Sequence, residues 1–169
     1  MMSTKSKILA LLEGSRGQAL SGTDIAKKLQ LSRSAVWKSI EELRKEGYEI
    51  QAVTNRGYSL SEDSDILSAE GLLLRTQHPS ITRDKIHVFK SIGSTNQEAK
   101  KMAVAGASQG TIVLAEEQTE GRGRLGRSFF SPMGTGIYMS LVLRPRGTAE
   151  EAALTTTAAA VAVCRALSQ

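Results

Sequence analysis

Between Glu120 and Pro132 the chain reads EGRGRLGRSFFSP, three arginines and three glycines in seven positions followed by two phenylalanines and a proline. Arg122, Arg124 and Arg127 are interleaved with Gly121, Gly123 and Gly126. Glycine lets successive backbone N–H groups turn towards an anion, and guanidinium forks donate in pairs to carboxylate or phosphate. The run therefore fits a ligand that carries phosphate, carboxylate or both. Phe129 and Phe130, which follow it, could pack on a sheet or stack on a base. Charge and glycine alone leave a second reading open, that of a disordered basic surface loop.

Other candidate chemistry is sparse. His78 and His87 stand apart from any cysteine or carboxylate spacing that suggests zinc, so no metal site built from side chains is expected. The single cysteine, Cys164, excludes an internal disulfide, and its apolar neighbours predict a buried, inert thiol. A formal charge of +5 over 169 residues tilts the chain towards polyanions without choosing among nucleic acid, nucleotide phosphates and an acidic partner. The opening MMSTKSKILALLEG lacks the long apolar stretch of a signal peptide, and Ala152 to Leu167 is too short and polar to span a bilayer. A cytoplasmic protein without a membrane segment is expected.

Elements that could position such residues fall into two unlike parts. From Lys5 to about Leu60 the pattern predicts three short helices and a hairpin. Ile8, Leu9, Leu11 and Leu12 give the first apolar face, and Gly14 and Gly17 end it. Ser21 predicts an N-cap for a second helix carrying Ile25, Ala26 and Leu29, with Asp24 in the place of a capping-box acid. After a turn at Gln30-Leu31, Ser32 caps a third helix in which Val36, Ile40 and Leu43 recur at helical spacing. Tyr48, Ile50 and Ala52 then alternate with polar residues, Asn55-Arg56-Gly57 supplies turn chemistry, and Tyr58 with Leu60 begins a return strand. Two helices joined by a short turn and followed by a basic hairpin form the layout of a winged helix-turn-helix. In that layout Ser32, Arg33, Ser34 and Lys38 face bases and phosphates, and Arg56 at the hairpin tip meets the DNA backbone. Trp37, next to the apolar stripe, is expected in the core. The plainer alternative is a small helical domain with a solvated charged face.

A polar, acidic stretch around Ser61 to Asp65 reads as a linker, which gives a DNA-binding domain over residues 1–62, a linker at 63–66 and a second domain over 67–169. In the second domain Leu67 to Arg75 predicts a short helix and Ile86 to Phe89 a strand. Ser94 or Thr95 caps a helix through about Ala105. Thr111 to Ala115 and Gly136 to Leu143 predict two more strands, and Ala149 to Leu167 a long buried helix. Mixed strands and helices mark an α+β fold.

The segment LSRSAVWKSIEELRKEGYEIQAVTNRGYSL, taken with STNQEAK and AEEQTEGRGRLGRSFFSP, resembles the bifunctional biotin protein ligases that double as biotin operon repressors. The resemblance runs from about residue 5 to residue 169. It implies a winged helix-turn-helix followed by the first part of a class II aminoacyl-tRNA synthetase-like catalytic domain. It also implies that Ser94 and Thr95 hydrogen-bond the ureido ring of biotin, supported by Asn96, and that Gln118 contacts biotin. The run Gly121, Arg122, Gly123, Arg124 would close over biotin and biotinyl-5'-AMP, with Arg122 and Arg124 on the carboxylate and the α-phosphate and Arg127 in the same loop. Phe129 stands where relatives set an aromatic residue against adenine. The implied substrates are biotin and ATP with Mg2+. The implied partners are a lysine of the biotin carboxyl carrier protein of acetyl-CoA carboxylase, operator DNA and a second copy of the chain, with biotinyl-5'-AMP as corepressor.

Family members continue with a Lys-Trp-Pro-Asn-Asp motif that carries the catalytic lysine, then a glycine-rich strand and a small C-terminal barrel, none of which appears here. A fragment with impaired or no ligase activity is therefore expected, its second part less stable than its first. Two other readings stay open. One is a DNA-binding regulator with a remnant biotin-sensing domain. The other is a ligase for lipoate or another acyl group.

Overall fold

A computed structural model describes residues 2–76, 78–145 and 147–168, with the side chains of 124 and 149–153 outside the description. The architecture is mixed α and β, in the order three helices, a hairpin, a short helix, then a three-stranded sheet with two further helices.

Each of the first three helices starts on a serine that satisfies an orphan amide. For α1 (Thr4–Glu13) Ser3 Oγ accepts the Ser6 N–H, for α2 (Gly22–Leu29) Ser21 Oγ accepts the Thr23 N–H, and for α3 (Arg33–Lys45) Ser32 Oγ accepts the Ala35 N–H. Gln30 takes the left-handed conformation at φ 55°, and Leu31 N–H reaches back to Ala26 O, which turns the chain sharply from α2 into α3. Ile8, Leu12, Ile25, Val36, Ile40 and Leu43 close one core with Ile50 and Leu60 of the hairpin. The hairpin, β1 (Ile50–Val53) and β2 (Gly57–Leu60), pairs antiparallel with Ile50 opposite Leu60. Gly57 is required twice over: its φ is 109°, and a Cβ would stand 2.0 Å from the Leu20 carbonyl oxygen, because Leu20 and Tyr58 exchange backbone hydrogen bonds there.

In the second part, α4 (Ala69–Arg75) is capped by Ser68. The strands β3 (Ile86–Phe89), β4 (Ile112–Ala115) and β5 (Tyr138–Leu141) lie in that spatial order, β3 parallel to β4 and β4 antiparallel to β5. A parallel pair needs a crossover, and α5 (Thr95–Val104) supplies it. One face of the sheet packs Ile86 and Leu114 with Ala69 of α4, and the other packs Val113 and Val142 with Ala99 of α5. The two parts meet where α1 packs against α4.

Three burial expectations are overturned. The last helix, α6 (Ala149–Leu167), forms as expected but is not buried: Leu154, Val161, Val163 and Leu167 are exposed. Cys164 on it is exposed too. An apolar run specifies a preference for burial, not the element that covers it, and no described element covers this one. Trp37, expected in the core, is 57% exposed.

Candidate functional site

The arginine run is built on a ladder. Beyond the parallel strands the chain at 116–120 continues beside 89–93, with Glu116 N–H on Phe89 O, Thr119 N–H on Ile92 O and Glu120 N–H on Gly93 O. On its other side it folds back on itself. Gln118 N–H donates to Ser131 O (3.0 Å), Phe129 N–H to Gly121 O (2.8 Å) and Gly123 N–H to Arg127 O (2.7 Å). The loop is thus a hairpin whose tip spans Arg124 to Gly126. Its glycines do different jobs. A Cβ on Gly121 would fall 2.3 Å from Phe129 O and 2.6 Å from Ser131 Oγ, so the approach of the two arms admits no side chain. Positive φ within the loop falls at Gly126 (74°) and at Leu125 (57°), not at Gly121 or Gly123.

A half-buried polar network anchors that ladder to the first turn of α5. Thr95 donates twice to Gln118 Oε1, from its backbone N–H (2.9 Å) and its hydroxyl (3.0 Å). Ser140 Oγ on β5 donates to Thr95 Oγ1, and Gln118 Nε2 donates to Ser131 Oγ, which itself donates to Phe129 O. Ser94 occupies the N-cap position, yet its hydroxyl makes no cap bond; the orphan amide of the first turn goes to Gln118 instead. Ser94 and Thr95 are both buried.

The remaining site residues surround this anchor. Asn96 is exposed, and so are Arg122 and Arg127. With its amide oxygen facing the loop, Gln97 accepts from Arg122 Nε at 2.9 Å and Nη2 at 2.7 Å. The side chain of Arg124 lies outside the described residues. Phe129 is exposed and Phe130 is 87% exposed, so packing on the sheet is excluded for both. The structure therefore brings together Ser94, Thr95, Gln118, Gly121 and Arg122, with Arg127 and Phe129 on the same hairpin. Among the described residues no three His, Cys, Asp or Glu side chains cluster as a metal site.

A concave surface lies between α3 and the hairpin of the first part. Its volume is about 500 Å³, with Arg33, Ser34 and Trp37 on the helical wall and Asn55, Gly57 and Tyr58 opposite. Ser32, Lys38 and Arg56 are exposed nearby without lining it. Trp37 lines this surface rather than the core in which its sequence neighbours placed it. Its signal was present, because it stands four positions after Arg33 and three after Ser34, on the polar face rather than the buried one.

Comparisons with known proteins match two separate segments of the chain. Residues 4–59 match a profile described as HTH domain, and residues 88–169 match one described as Biotin/lipoate A/B protein ligase family. The "Bifunctional ligase/repressor BirA" of Bacillus spizizenii is 39% identical over 168 residues, 99% of this chain and 51% of that protein. Its Escherichia coli namesake is 36% identical over 138 residues, 82% of this chain and 40% of that one. The "Biotin--[acetyl-CoA-carboxylase] ligase" of Paracoccus denitrificans is 49% identical over 74 residues, 44% of this chain and 30% of that protein. The chain spans about half the length of the Bacillus relative.

Proposed function

We propose that this chain, whose residues 88–169 match the biotin/lipoate A/B protein ligase profile and whose residues 4–59 match an HTH profile, carries the DNA-binding part and the biotin-contacting loop of a bifunctional biotin protein ligase and repressor. The observation that carries the reading is the meeting of Thr95, Gln118 and Arg122 at the first turn of α5. Neutral donors and acceptors there suit a ureido ring, and the guanidinium suits the carboxylate at the other end of biotin. In this reading Ser94, Thr95 and Gln118 hold the ring and Asn96 supports the turn. Gly121, Arg122, Gly123, Arg124 and Arg127 close over the carboxylate and the α-phosphate, and Phe129 lies against adenine.

The reaction joins two anions, so positioning and charge compensation are the chain's main contributions. The biotin carboxylate attacks the α-phosphate of ATP, forming biotinyl-5'-AMP and releasing pyrophosphate. A lysine of the biotin carboxyl carrier protein then takes the biotinyl group and AMP leaves. Mg2+ would arrive on the phosphates of ATP and supply charge compensation there. Complete turnover is proposed for the full length of the relatives, of which this chain matches about half.

The same reading gives the first part a winged helix-turn-helix over residues 1–62, joined through 63–66 to a class II aminoacyl-tRNA synthetase-like domain from residue 67. The separate core of the three helices and hairpin supports that division. Ser32, Arg33, Ser34, Lys38 and Arg56 meet operator DNA, with the adenylate as corepressor and a homodimer reading two half-sites. A cytoplasmic location belongs to the same reading. No helix among the described residues is long and apolar enough to cross a membrane.

Calorimetric titration of the chain with biotin tests the loop, and with lipoate its selectivity. Biotin binding that lipoate does not compete supports the reading, whereas lipoate binding alone overturns it. A gel shift on the protein's own biotin-gene promoter tests the other half. Promoter binding with no affinity for biotin or its adenylate would favour a regulator that only carries a remnant of the ligase.

A further inference from the structure

We propose that Gln97 is a positioning residue that holds the Arg122 guanidinium ready for an anion without neutralising it. The inference rests on the reading of the arginine hairpin as an anion-binding loop. Gln97 sits in the first turn of α5, two positions after Thr95; because a guanidinium only donates, the amide is assigned with its oxygen towards Arg122, where it takes both donors on one edge, Nε at 2.9 Å and Nη2 at 2.7 Å. Two donors converging on one acceptor fix the plane of the group as well as its position. The backbone of Arg122 is fixed independently, by its bridge to Ser128 within the hairpin. Its other guanidinium donors have no protein partner among the described residues.

The chemistry of the holder matters as much as its geometry. A carboxylate at position 97 would make the same two bonds and also cancel the charge, leaving the loop with less attraction for a carboxylate or phosphate. A carboxamide supplies a partial negative charge only, so the guanidinium stays a full cation while losing its rotamer freedom. The nearest acid on the helix, Glu98, is directed to Lys101 at 3.5 Å and leaves Arg122 to the amide. Gln97 thus ties the arginine to the helix turn that also holds Gln118, and the charged and neutral halves of the site share one support.

Two variants separate this role from simple packing. Gln97→Glu preserves shape and hydrogen bonding, so a structural role ranks it milder than Gln97→Ala. A neutral holder ranks it worse. The chain is titrated with biotin and with biotin methyl ester, and the Arg122 Nε–H signal is followed by 15N NMR. In the free protein that signal is expected to be protected from exchange and to lose protection in Gln97→Ala. Gln97→Glu is expected to weaken biotin about tenfold while leaving the ester unchanged, and Gln97→Ala to weaken biotin about threefold. An Nε–H signal identical in wild type and Gln97→Ala overturns the contact, whatever biotin does. A retained contact with Gln97→Glu binding biotin as well as Gln97→Ala overturns the charge argument. If the wild-type chain binds biotin without moving the Arg122 signal, the loop reading fails and the inference falls with it; if it binds no biotin, the ligand reading fails and takes the inference too.

Discussion

Glu13, at the end of α1, accepts a hydrogen bond from the hydroxyl of Ser68 at 2.6 Å, across 55 positions of sequence. Ser68 Oγ in turn caps α4 by accepting the Gly71 N–H. The other oxygen of Glu13 takes Arg16 Nε at 2.7 Å, and the same guanidinium reaches the Ser64 carbonyl. The carboxylate is nearly fully buried, so one side chain joins the helical part to the sheet-bearing part. On the far side of the join, Leu67 N–H donates to Glu116, two residues before Gln118.

Glu13→Ala should therefore destabilise the chain by about 2–4 kcal/mol, because it leaves a buried hydroxyl and a largely buried guanidinium without their partner. Glu13→Gln keeps one acceptor and should cost less. Urea unfolding followed by far-UV circular dichroism measures both, and a loss under about 0.5 kcal/mol for the alanine variant would show that the join is held elsewhere.

Tyr48 faces the same carboxylates. Burial pushes its phenol up to about 12, and Glu70, Glu13, Glu46 and Glu116 add to the rise. A raised folded value means that the folded state keeps a proton the unfolded chain releases. The stability it contributes is complete below about pH 10 and is lost as pH rises towards 12. Wild type should then lose stability relative to Tyr48→Phe over that window, by about 1 kcal/mol at its upper end, because water reaching the partly exposed phenol screens the effect. Thermal unfolding of the pair from about pH 8 to 12 checks the sign; parallel curves would remove the phenol from the account.

Trp37 is the only tryptophan of the chain, so its fluorescence reports a single place. Under the DNA-binding reading, a promoter duplex should quench it, and Trp37→Ala should weaken binding roughly fivefold, the scale of one lost base contact. Arg33→Ala should weaken all duplexes and flatten the salt dependence. A duplex that binds, by anisotropy of a labelled strand, without changing the tryptophan signal would exclude Trp37 from the interface.

Gly121→Ala and Gly126→Ala should differ sharply. The first drives a methyl group into the Phe129 carbonyl and should open the hairpin, exposing its arginines to trypsin and abolishing biotin binding. The second meets nothing within 4 Å and carries only the strain of a φ of 74°, about 1 kcal/mol. Equal trypsin sensitivity in the two variants would contradict the close approach at position 121.

The helices, the hairpin and the three strands were legible in the sequence because their periodicities and caps are local. Ser21 and Ser32 cap where a serine precedes an apolar face, and Ser3 and Ser68, which the pattern did not single out, do the same. Burial was less legible, since it depends on partners: α6 has the composition of a core helix and no cover among the described elements, and Trp37 borders the stripe yet turns away from it. In the site, the residue types were readable from the arginine run, but the support was not. That Gln118 would cap α5 in place of Ser94, or that Gln97 would hold Arg122, needs contacts between residues 23 and 25 positions apart.

The arms of the arginine hairpin are already paired from Gln118 to Ser131, with only the turn between Gly123 and Arg127 lying beyond the last rung, and Leu125 there is 93% exposed. Fixing a residue's backbone costs about 1–2 kcal/mol of conformational entropy. A ligand that closes this loop meets that cost only at the turn, because folding has already ordered the arms. Under the proposed reading, the ladder would shift most of the entropic penalty of recognition from the binding step to the folding step, so that a small anion could order a loop it touches at only a few atoms.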